Sequence, residues 1–257
     1  SRSGARPKTQ TGGGAMAGLA ILGAAGGIGR ALTAAAGAAG WRVAALDLAA
    51  SLERHPPDAP ARAVDATDAG GLAEAAGWAR EAVGPLAGFV TLSGFMAPPA
   101  PAAETAPETW REVVDGNLTA SFLALRAFAP VLEDGGAMVT VGSGLGHLAR
   151  PGFGPYAASK AGIAQIAKQF ALELAPRLRV NNVAPSAVDT AFLRGGTGRS
   201  DETGGAPIDV EAYGRAVPLG RIATPEDVTG PILFLLSDAA RYVTGQTLHV
   251  NGGTHMP

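Results

Sequence analysis

Short apolar runs recur along the chain and alternate with longer stretches whose apolar residues follow helical spacing. Mostly apolar runs occupy residues 19–22, 43–46, 86–92 and 137–141, and the segments 62–64, 178–183 and 247–250, which mix polar and apolar residues, are predicted as further short strands. Continuous apolar runs are typical of parallel strands, because both faces of such strands are covered. Strands that alternate with helices predict an α/β fold, in which a doubly wound parallel sheet carries helices on both faces.

The helical stretches are predicted from the spacing and from their end signals. Asp68 is a suitable cap for a helix that runs to about Val83, and Thr224 with Pro225 begins another that ends at Leu236. An alanine-rich helix is predicted to end before Gly40. Further helices are predicted at 107–132 and 157–174.

The remaining segments define the domain organisation. Three prolines between residues 48 and 60 predict a loop there, and the glycine-rich polar stretch 194–207 predicts a mobile substrate loop near 191–216. Residues 1–18 are polar and glycine-rich, and we interpret them as a flexible tail or an artificial extension. Residues 19–257 are predicted to form a single domain, because its linkers are too short for a second one.

Composition narrows the function classes. The formal net charge is −2 and the sequence pI is about 6.1, so neither nucleic acid nor an anionic membrane is expected as a partner. There is no cysteine, which excludes disulfides and a thiol nucleophile. The four histidines lack zinc-ligand spacing, so no metal is expected. No apolar run reaches the roughly 20 residues of a membrane span, and we expect a cytoplasmic protein.

The chemistry is predicted around Ser143, Tyr156 and Lys160. Residues four apart on a helix share one face, so the phenol and the ammonium are expected side by side, with Ser143 facing them from a strand end. Lowering a phenol pKa from about 10 toward neutrality takes about 3–4 kcal/mol. A cation about 4 Å away supplies about 4 kcal/mol at an effective dielectric near 20. We therefore predict that Lys160 lowers the pKa of Tyr156; the alternative is a chance pairing on an amphipathic helix.

A glycine-rich turn and an aspartate predict a dinucleotide site. Gly23, Gly27 and Gly29 follow the first strand and begin a helix, where backbone amides can bind a pyrophosphate. Asp47 ends the second strand, where a carboxylate accepts hydrogen bonds from a ribose and repels a 2′-phosphate. NAD(H) is therefore favoured and NADP(H) stays open; the alternative for Asp47 is a solvated strand end.

Together with Asn117, these motifs resemble the short-chain dehydrogenase/reductase family over about residues 19–253, especially single-domain bacterial members similar to 3-oxoacyl carrier-protein reductases. The resemblance implies a Rossmann-type sheet of about seven strands and a nicotinamide cofactor. It also implies a homotetramer or homodimer that acts on a small ketone or alcohol, free or carrier-bound.

The family's roles carry over to matching positions. The resemblance implies that Tyr156 is the general acid or base, that Lys160 holds the nicotinamide ribose and that Ser143 binds the substrate oxygen. It implies that Asn117 keeps a water in a proton relay and that Thr190 binds the carboxamide, with Asp65 near the adenine. The full predicted cofactor set is Gly23, Gly27, Ile28, Gly29, Asp47, Asp65, Ala66, Ser93, Gly94, Tyr156, Lys160, Pro185, Ser186, Val188 and Thr190.

The substrate pocket is predicted to be mostly apolar, and its members are Phe95, Met96, Leu145, His147, Phe153, Phe192 and the 194–207 loop. We interpret His147 as a rim residue without a chemical role; the alternative is that it orients a polar substrate group. Three turns depart from the family pattern, at Leu22, at 91–94 and at Ser186. The favoured function is oxidoreduction between a secondary alcohol and a ketone. The departures keep two alternatives open, namely a non-catalytic nucleotide-binding or scaffold protein and a non-redox epimerase or dehydratase-like enzyme.

Overall fold

A computed structural model describes residues 16–194 and 209–257. Within these ranges seven strands form one parallel sheet with the order β3-β2-β1-β4-β5-β6-β7, which confirms the predicted doubly wound fold. The strand bounds are β1 Gly18–Leu22, β2 Arg42–Asp47, β3 Ala61–Ala63, β4 Leu86–Thr91, β5 Leu132–Val141, β6 Arg179–Pro185 and β7 Thr247–Val250.

Helices cover both faces of the sheet. Their bounds are α1 Gly27–Ala38, α2 Ala49–Arg54, α3 Ala69–Val83, α4 Pro107–Val114, α5 Ala120–Phe128, α6 Gly154–Leu174, α7 Val210–Ala216 and α8 Pro225–Leu236. Helices α1 and α8 pack on one face, whereas α3, α5 and α6 pack on the other. No helix within the described ranges has the length and apolarity needed to cross a membrane.

Each face buries its own apolar cluster, and small side chains fill much of both. The α3 side contributes Ala75, Ala76 and Ala79, all nearly inaccessible to solvent. Larger side chains anchor this alanine-rich packing: the rings of Phe89 and Phe128 stack with centroids 4.0 Å apart. Alanines let the helices approach the sheet closely, so the core depends on close contact more than on bulky side chains.

The helix predicted at 107–132 is wrong as one continuous element. A π turn at Asp115–Thr119 separates α4 from α5, and a 3₁₀ turn at Ala129–Val131 leads into β5 at Leu132. Pro130 explains the end of the helix, because proline has no backbone N–H to continue the helical hydrogen bonds. Strand β5 is therefore five residues longer at its start than the apolar run 137–141 indicated.

Two segments predicted as loops contain helices. Helix α2 lies inside the predicted loop 48–60, and α7 lies inside the segment 191–216. Asp209 caps α7, since its carboxylate accepts a hydrogen bond from the amide of Ala212 at 2.9 Å. Residues 195–208 lie outside the described part of the chain, as do residues 1–15 of the predicted tail. Mobility of the substrate loop stays a prediction.

The strand order reverses direction between β1 and β4, which are neighbours in the sheet. The connections from these two strands leave toward opposite faces. In open α/β sheets this switch point opens a crevice at the carboxyl ends of the strands, where ligands bind. The functional site is therefore expected at the ends of β1, β4 and their neighbours.

Candidate active site

A cavity of about 520 Å³ lies at the carboxyl ends of the strands. Its walls come from the segments that follow β1, β2, β3, β4, β5 and β6 and from the residues after β7. All fifteen residues of the predicted cofactor set line this cavity. The structure thus brings together residues that are up to 167 positions apart in sequence (Gly23 to Thr190).

The turn after β1 requires its glycines for two different reasons. Gly23 has a φ of +88°, a backbone conformation that residues with a Cβ rarely adopt. Gly27 and Gly29 are fixed by close approach: a Cβ at Gly27 would lie 2.6 Å from Cγ2 of Thr190, and one at Gly29 would overlap the carbonyl oxygen of Gly23. The backbone at the start of α1 is therefore open to the cavity and fits a pyrophosphate.

Asp47 holds this turn in place. Its carboxylate accepts hydrogen bonds from the amides of Ala25 at 2.9 Å and Leu48 at 2.7 Å, and it also bonds to Ser51. Burial raises the pKa of Asp47, and these hydrogen bonds oppose the rise. Asp47 is thus a partly buried carboxylate at the cavity wall rather than a solvated strand end.

The opposite wall places a hydroxyl, a phenol and an ammonium together. Helix α6 brings Tyr156 and Lys160 onto one face, with the Lys160 Nζ 5.5 Å from the centroid of the Tyr156 ring. Ser143 follows the end of β5 and hydrogen-bonds to Tyr156. Tyr156 is 9% exposed and Lys160 is 5% exposed. The predicted side-by-side arrangement is therefore present, and it is buried.

Burial changes the electrostatics that the sequence predicted. It raises the pKa of Tyr156 to about 12, and the hydrogen bond from Ser143 opposes this rise. Burial also lowers the pKa of Lys160 to about 8, and the ammonium donates to the carbonyl of Val141 at 3.0 Å. The predicted fall of the Tyr156 pKa toward neutrality is wrong for this arrangement, because desolvation raises that pKa. Stabilisation of the phenolate by Lys160 stays a prediction.

Asn117 lies in the π turn and is fully buried. Its Oδ1 accepts from the amide of Phe95 at 2.7 Å, while its Nδ2 donates to the carbonyl of Phe95 at 2.9 Å and to Oγ of Ser159 at 3.1 Å. The side chain thus ties the segment after β4 to helix α6. Asn117 does not line the cavity, so these contacts indicate a positioning role, and the implied water relay stays a prediction.

The apolar part of the cavity matches the predicted substrate pocket at five of six positions. The exception is His147, which is exposed and packs its ring against His249, with centroids 4.7 Å apart. His147 follows a short 3₁₀ turn and does not line the cavity, and its place at the rim of the substrate pocket stays a prediction. Leu148 and Arg150, a few residues on, line the cavity instead.

Several cavity residues were missed by the sequence reasoning. They fall in the segments predicted as loops and at the C-terminal end, and they include Ser51, Arg54, His55, Arg150, Tyr213, Thr254 and His255. For Ser51 and Arg54, the available sequence signal was their spacing of three residues, which places both side chains on one face of a helix. No local pattern indicates the others, because tertiary packing alone brings them to the cavity.

The three departures from the family pattern keep their backbone at the cavity wall. Leu22 is buried beneath the glycine turn, and Ser186 donates its amide to the carbonyl of Val250 at 3.1 Å. The hydroxyls of Thr91 and Ser93 lie 3.2 Å apart at the end of β4. Leu22, Ser93 and Ser186 therefore all line the cavity despite these departures.

Comparisons with known proteins agree with this architecture. The family model described as Enoyl-(Acyl carrier protein) reductase matches residues 23–255. Galactitol 2-dehydrogenase (L-tagatose-forming) of Cereibacter sphaeroides is 38% identical, over 91% of this chain and 93% of that protein. 2-(S)-hydroxypropyl-CoM dehydrogenase 3 of Xanthobacter autotrophicus is 33% identical, over 91% and 95%.

A solved structure shows the same fold. The crystal structure of a short-chain dehydrogenase/reductase from Brucella melitensis, described as a glucose/ribitol dehydrogenase, has a TM-score of 0.83 and 27% identity, and covers 94% of this chain and 97% of its own. The chain belongs to the short-chain dehydrogenase/reductase family of oxidoreductases, whose members use NAD(P)(H).

Proposed function

We propose that this protein is an NAD(P)-dependent oxidoreductase that interconverts a secondary alcohol and a ketone, with Tyr156 as the proton donor or acceptor. The observation that carries the proposal is the group formed by buried Tyr156 and Lys160 and half-buried Ser143, which lines the same cavity as the glycine turn. The relatives described above are named for alcohol oxidation, which supports the same reaction class.

The hydroxyls of Ser143 and Tyr156 are both in position to hydrogen-bond one substrate oxygen. With its pKa near 12, Tyr156 stays protonated at neutral pH and can donate its proton to the oxygen of a ketone. The ammonium of Lys160 stabilises the phenolate left behind, because opposite charges attract strongly in a buried site. The nicotinamide cofactor, when bound, supplies the hydride for reduction or accepts it for oxidation.

We propose that Asn117 positions the segment after β4 and that the glycine turn binds the cofactor. Gly94 has a φ of +148°, and a Cβ there would lie 2.6 Å from Oδ1 of Asn117 and 3.5 Å from Nζ of Lys160. The segment after β4 therefore packs directly on both side chains. We propose that Asn117 fixes this segment, and through it the cavity wall beside Lys160, while the amides at the start of α1 bind the pyrophosphate.

NAD(H) is our proposed cofactor. The carboxylate of Asp47 lines the cavity beside the glycine turn, in the part that we assign to the adenosine and call the adenosine end. There it would accept hydrogen bonds from ribose hydroxyls and repel a 2′-phosphate. Arg54 and His55 line the same end, and they are the groups that would favour NADP(H). We propose that the effect of Asp47 outweighs that of Arg54 and His55, because the Asp47 carboxylate is hydrogen-bonded to the glycine turn itself.

The exposed apolar side chains of α4, α5 and α6 support a homodimer or homotetramer. Trp110 is 45% exposed, Phe122 is 42% exposed and Leu172 is 78% exposed. Large exposed apolar groups on neighbouring helices are typical of protein interfaces. Light scattering on the purified protein tests this proposal, and a monomeric mass would contradict it.

Ketone reduction and alcohol oxidation tests with both cofactors address the reaction. We expect turnover with at least one ketone or secondary alcohol, and we expect Tyr156→Phe to lower kcat at least about 1,000-fold, because it removes the proton donor. NADH binding, followed by fluorescence, should change less than about twofold in the same variant. Tyr242→Phe is the matched control, since Tyr242 is fully exposed and lies outside the cavity.

The same measurements separate the alternatives. An active Tyr156→Phe variant would contradict the assignment of the proton donor. Cofactor binding without any turnover would instead favour a nucleotide-binding scaffold. Conversion of a substrate without net change in NAD(P)H would favour an epimerase or dehydratase-like reaction.

A further inference from the structure

The side of the cavity lined by Tyr156, here called the substrate end, combines an exposed cation with apolar side chains. Tyr156 is buried and Arg150 is exposed, and both line the cavity. The apolar lining residues are Phe95, Met96, Leu145, Leu148, Phe153 and Phe192, and further polar ones are Tyr213, Thr254 and His255. A molecule that meets Tyr156 with an oxygen and Arg150 with a second polar group would have an apolar body between them.

Arg150 carries a charge that no described residue neutralises. Its guanidinium carbon lies 5.5 Å from the centroid of the Tyr213 ring, which is within the range of a cation–π contact. Among the described residues, no carboxylate forms an ion pair with Arg150, and the carboxylates that line the cavity are Asp47 and Asp65 at the adenosine end. Within residues 16–194 and 209–257, the substrate end therefore presents a positive charge that no carboxylate pairs with.

The contact with Tyr213 leaves the donors of Arg150 available. An aromatic ring attracts a guanidinium through its π face, whereas the five N–H groups of arginine lie in the guanidinium plane. Within the described part of the chain, no hydrogen-bond acceptor is assigned to them. Two parallel N–H groups of a guanidinium form a fork that can donate to the two oxygens of one carboxylate. The contact with the Tyr213 ring restricts the Arg150 side chain, which reduces the conformational entropy that the side chain loses when a ligand binds.

We propose that Arg150 is a substrate-binding residue that selects ketones and alcohols bearing a carboxylate or similar oxyanion at the end remote from the reacting carbon. This inference rests on the proposed oxidoreductase function, because it assumes that the substrate oxygen lies at Tyr156. It assigns the substrate class: an apolar body with a carbonyl or hydroxyl at one end and an oxyanion at the other.

A matched series of substrates tests the proposal. The probes are methyl ketones with a terminal carboxylate, separated from the carbonyl by two to five methylene groups, and their uncharged carboxamides. For at least one length we expect the carboxylate to have a KM at least about tenfold below that of its amide, with similar kcat. Equal KM values for acid and amide at every length would overturn the proposal.

Variants then separate recognition from structural support. We expect Arg150→Met to raise KM for the preferred acid about tenfold to thirtyfold and to leave KM for the amide within about twofold, because the loss is of a charge-assisted hydrogen bond. Arg150→Lys should recover part of the loss, since it restores a point charge without the fork. If Arg150 only supported helix α7 through Tyr213, Arg150→Met would raise KM for acid and amide equally.

One control variant and two further measurements make every outcome decisive. Arg80→Met removes an exposed arginine outside the cavity and should leave both KM values unchanged, which excludes a general effect of net charge. Thermal unfolding of each variant confirms folding. Calorimetric titration of the same acid and amide into NADH-saturated protein measures selectivity without turnover. An inactive protein that still prefers the acid, and loses the preference in Arg150→Met, would contradict the proposed function while supporting this inference.

Discussion

The cavity contains two charged groups, Asp47 and Lys160, whose hydrogen-bonding surroundings differ. At the adenosine end, Asp47 is surrounded by donors, with the amides of Ala25 and Leu48 and the hydroxyl of Ser51 all bonded to it. At the catalytic end, Lys160 is more deeply buried and has one assigned acceptor, the carbonyl of Val141. Hydrogen bonds from the protein stabilise the charge of Asp47, whereas the buried charge of Lys160 lowers the stability of the folded protein.

This difference matches the two roles that we propose, which are cofactor binding at the end with Asp47 and proton transfer at the end with Tyr156 and Lys160. A carboxylate whose hydrogen bonds organise the surrounding backbone makes a rigid receptor for a ligand. A buried ammonium with few hydrogen-bond partners is stabilised most when a nearby group becomes negative, as Tyr156 would in the proton transfer that we propose. The adenosine end is therefore expected to contribute to stability, whereas the catalytic end is expected to reduce it.

The largest expected change comes from filling the close approach in the glycine turn. Gly29→Ala should lower the free energy of unfolding by about 2–3 kcal/mol, because its Cβ would overlap the backbone oxygen of Gly23, which no side-chain motion relieves. NADH affinity should fall in parallel. Chemical denaturation and fluorescence titration measure the two effects.

A second glycine in the same helix provides the control. Gly37 is exposed in α1 and has nothing within 4 Å of its Cβ position, so Gly37→Ala should stabilise by about 0.5–1 kcal/mol. If Gly29→Ala matched Gly37→Ala, the adenosine end would not depend on the tight backbone turn.

Removal of the buried ammonium should have the opposite effect on stability. Burial lowers the pKa of Lys160 from 10.5 to about 8, so Lys160→Met should raise the free energy of unfolding at pH 7 by about 2 kcal/mol, after allowance for the lost hydrogen bond to Val141. Activity should nevertheless be lost. The exposed Lys168 on the same helix gives the control variant Lys168→Met, for which little change is expected.

The pH dependence of this gain has a definite sign. Below pH about 8 the ammonium is charged in both the folded and unfolded chains, so its burial cost is fully present. Between pH about 8 and 10.5 the unfolded chain binds the extra proton, so wild-type stability rises with pH relative to Lys160→Met. A stability difference that stayed constant across this window would show that Lys160 is not desolvated.

The smallest expected effect concerns the choice of cofactor. Asp47→Ser should lower the preference for NADH over NADPH about tenfold, because the repulsion of a 2′-phosphate is removed. The ratio of the two dissociation constants is the measurement, since the variant also loses hydrogen bonds that affect both cofactors. Asp58→Ser, outside the cavity, should leave the ratio unchanged. An unchanged ratio in Asp47→Ser would place the carboxylate away from the ribose.

The sequence predicted the features that local rules determine. Apolar runs located the seven strands, and the spacing of Tyr156 and Lys160 placed both on one helix face, because helix geometry is the same everywhere. Position after the first strand located the glycine turn. These inferences needed no knowledge of distant contacts.

Features that depend on distant contacts were missed or misjudged. Nothing near Arg150 in sequence indicates that it meets Tyr213, 63 positions later. The direction of the Tyr156 pKa was misjudged because a charge at four residues can be read from the sequence, whereas the depth of burial is set by the whole fold.

The π turn at Asp115–Thr119 has a consequence for sequence alignment and for protein engineering. Its wider hydrogen-bonding ring accommodates one residue more than a regular helix of the same height. Deleting a single residue there would restore ordinary winding and leave α4 and α5 in register, because the extra residue is what the wide turn absorbs. The wide turn that presents Asn117 to Phe95 and Ser159 would be lost, so a gap at this position in an aligned homologue would mark the loss of these contacts rather than a neutral difference in length.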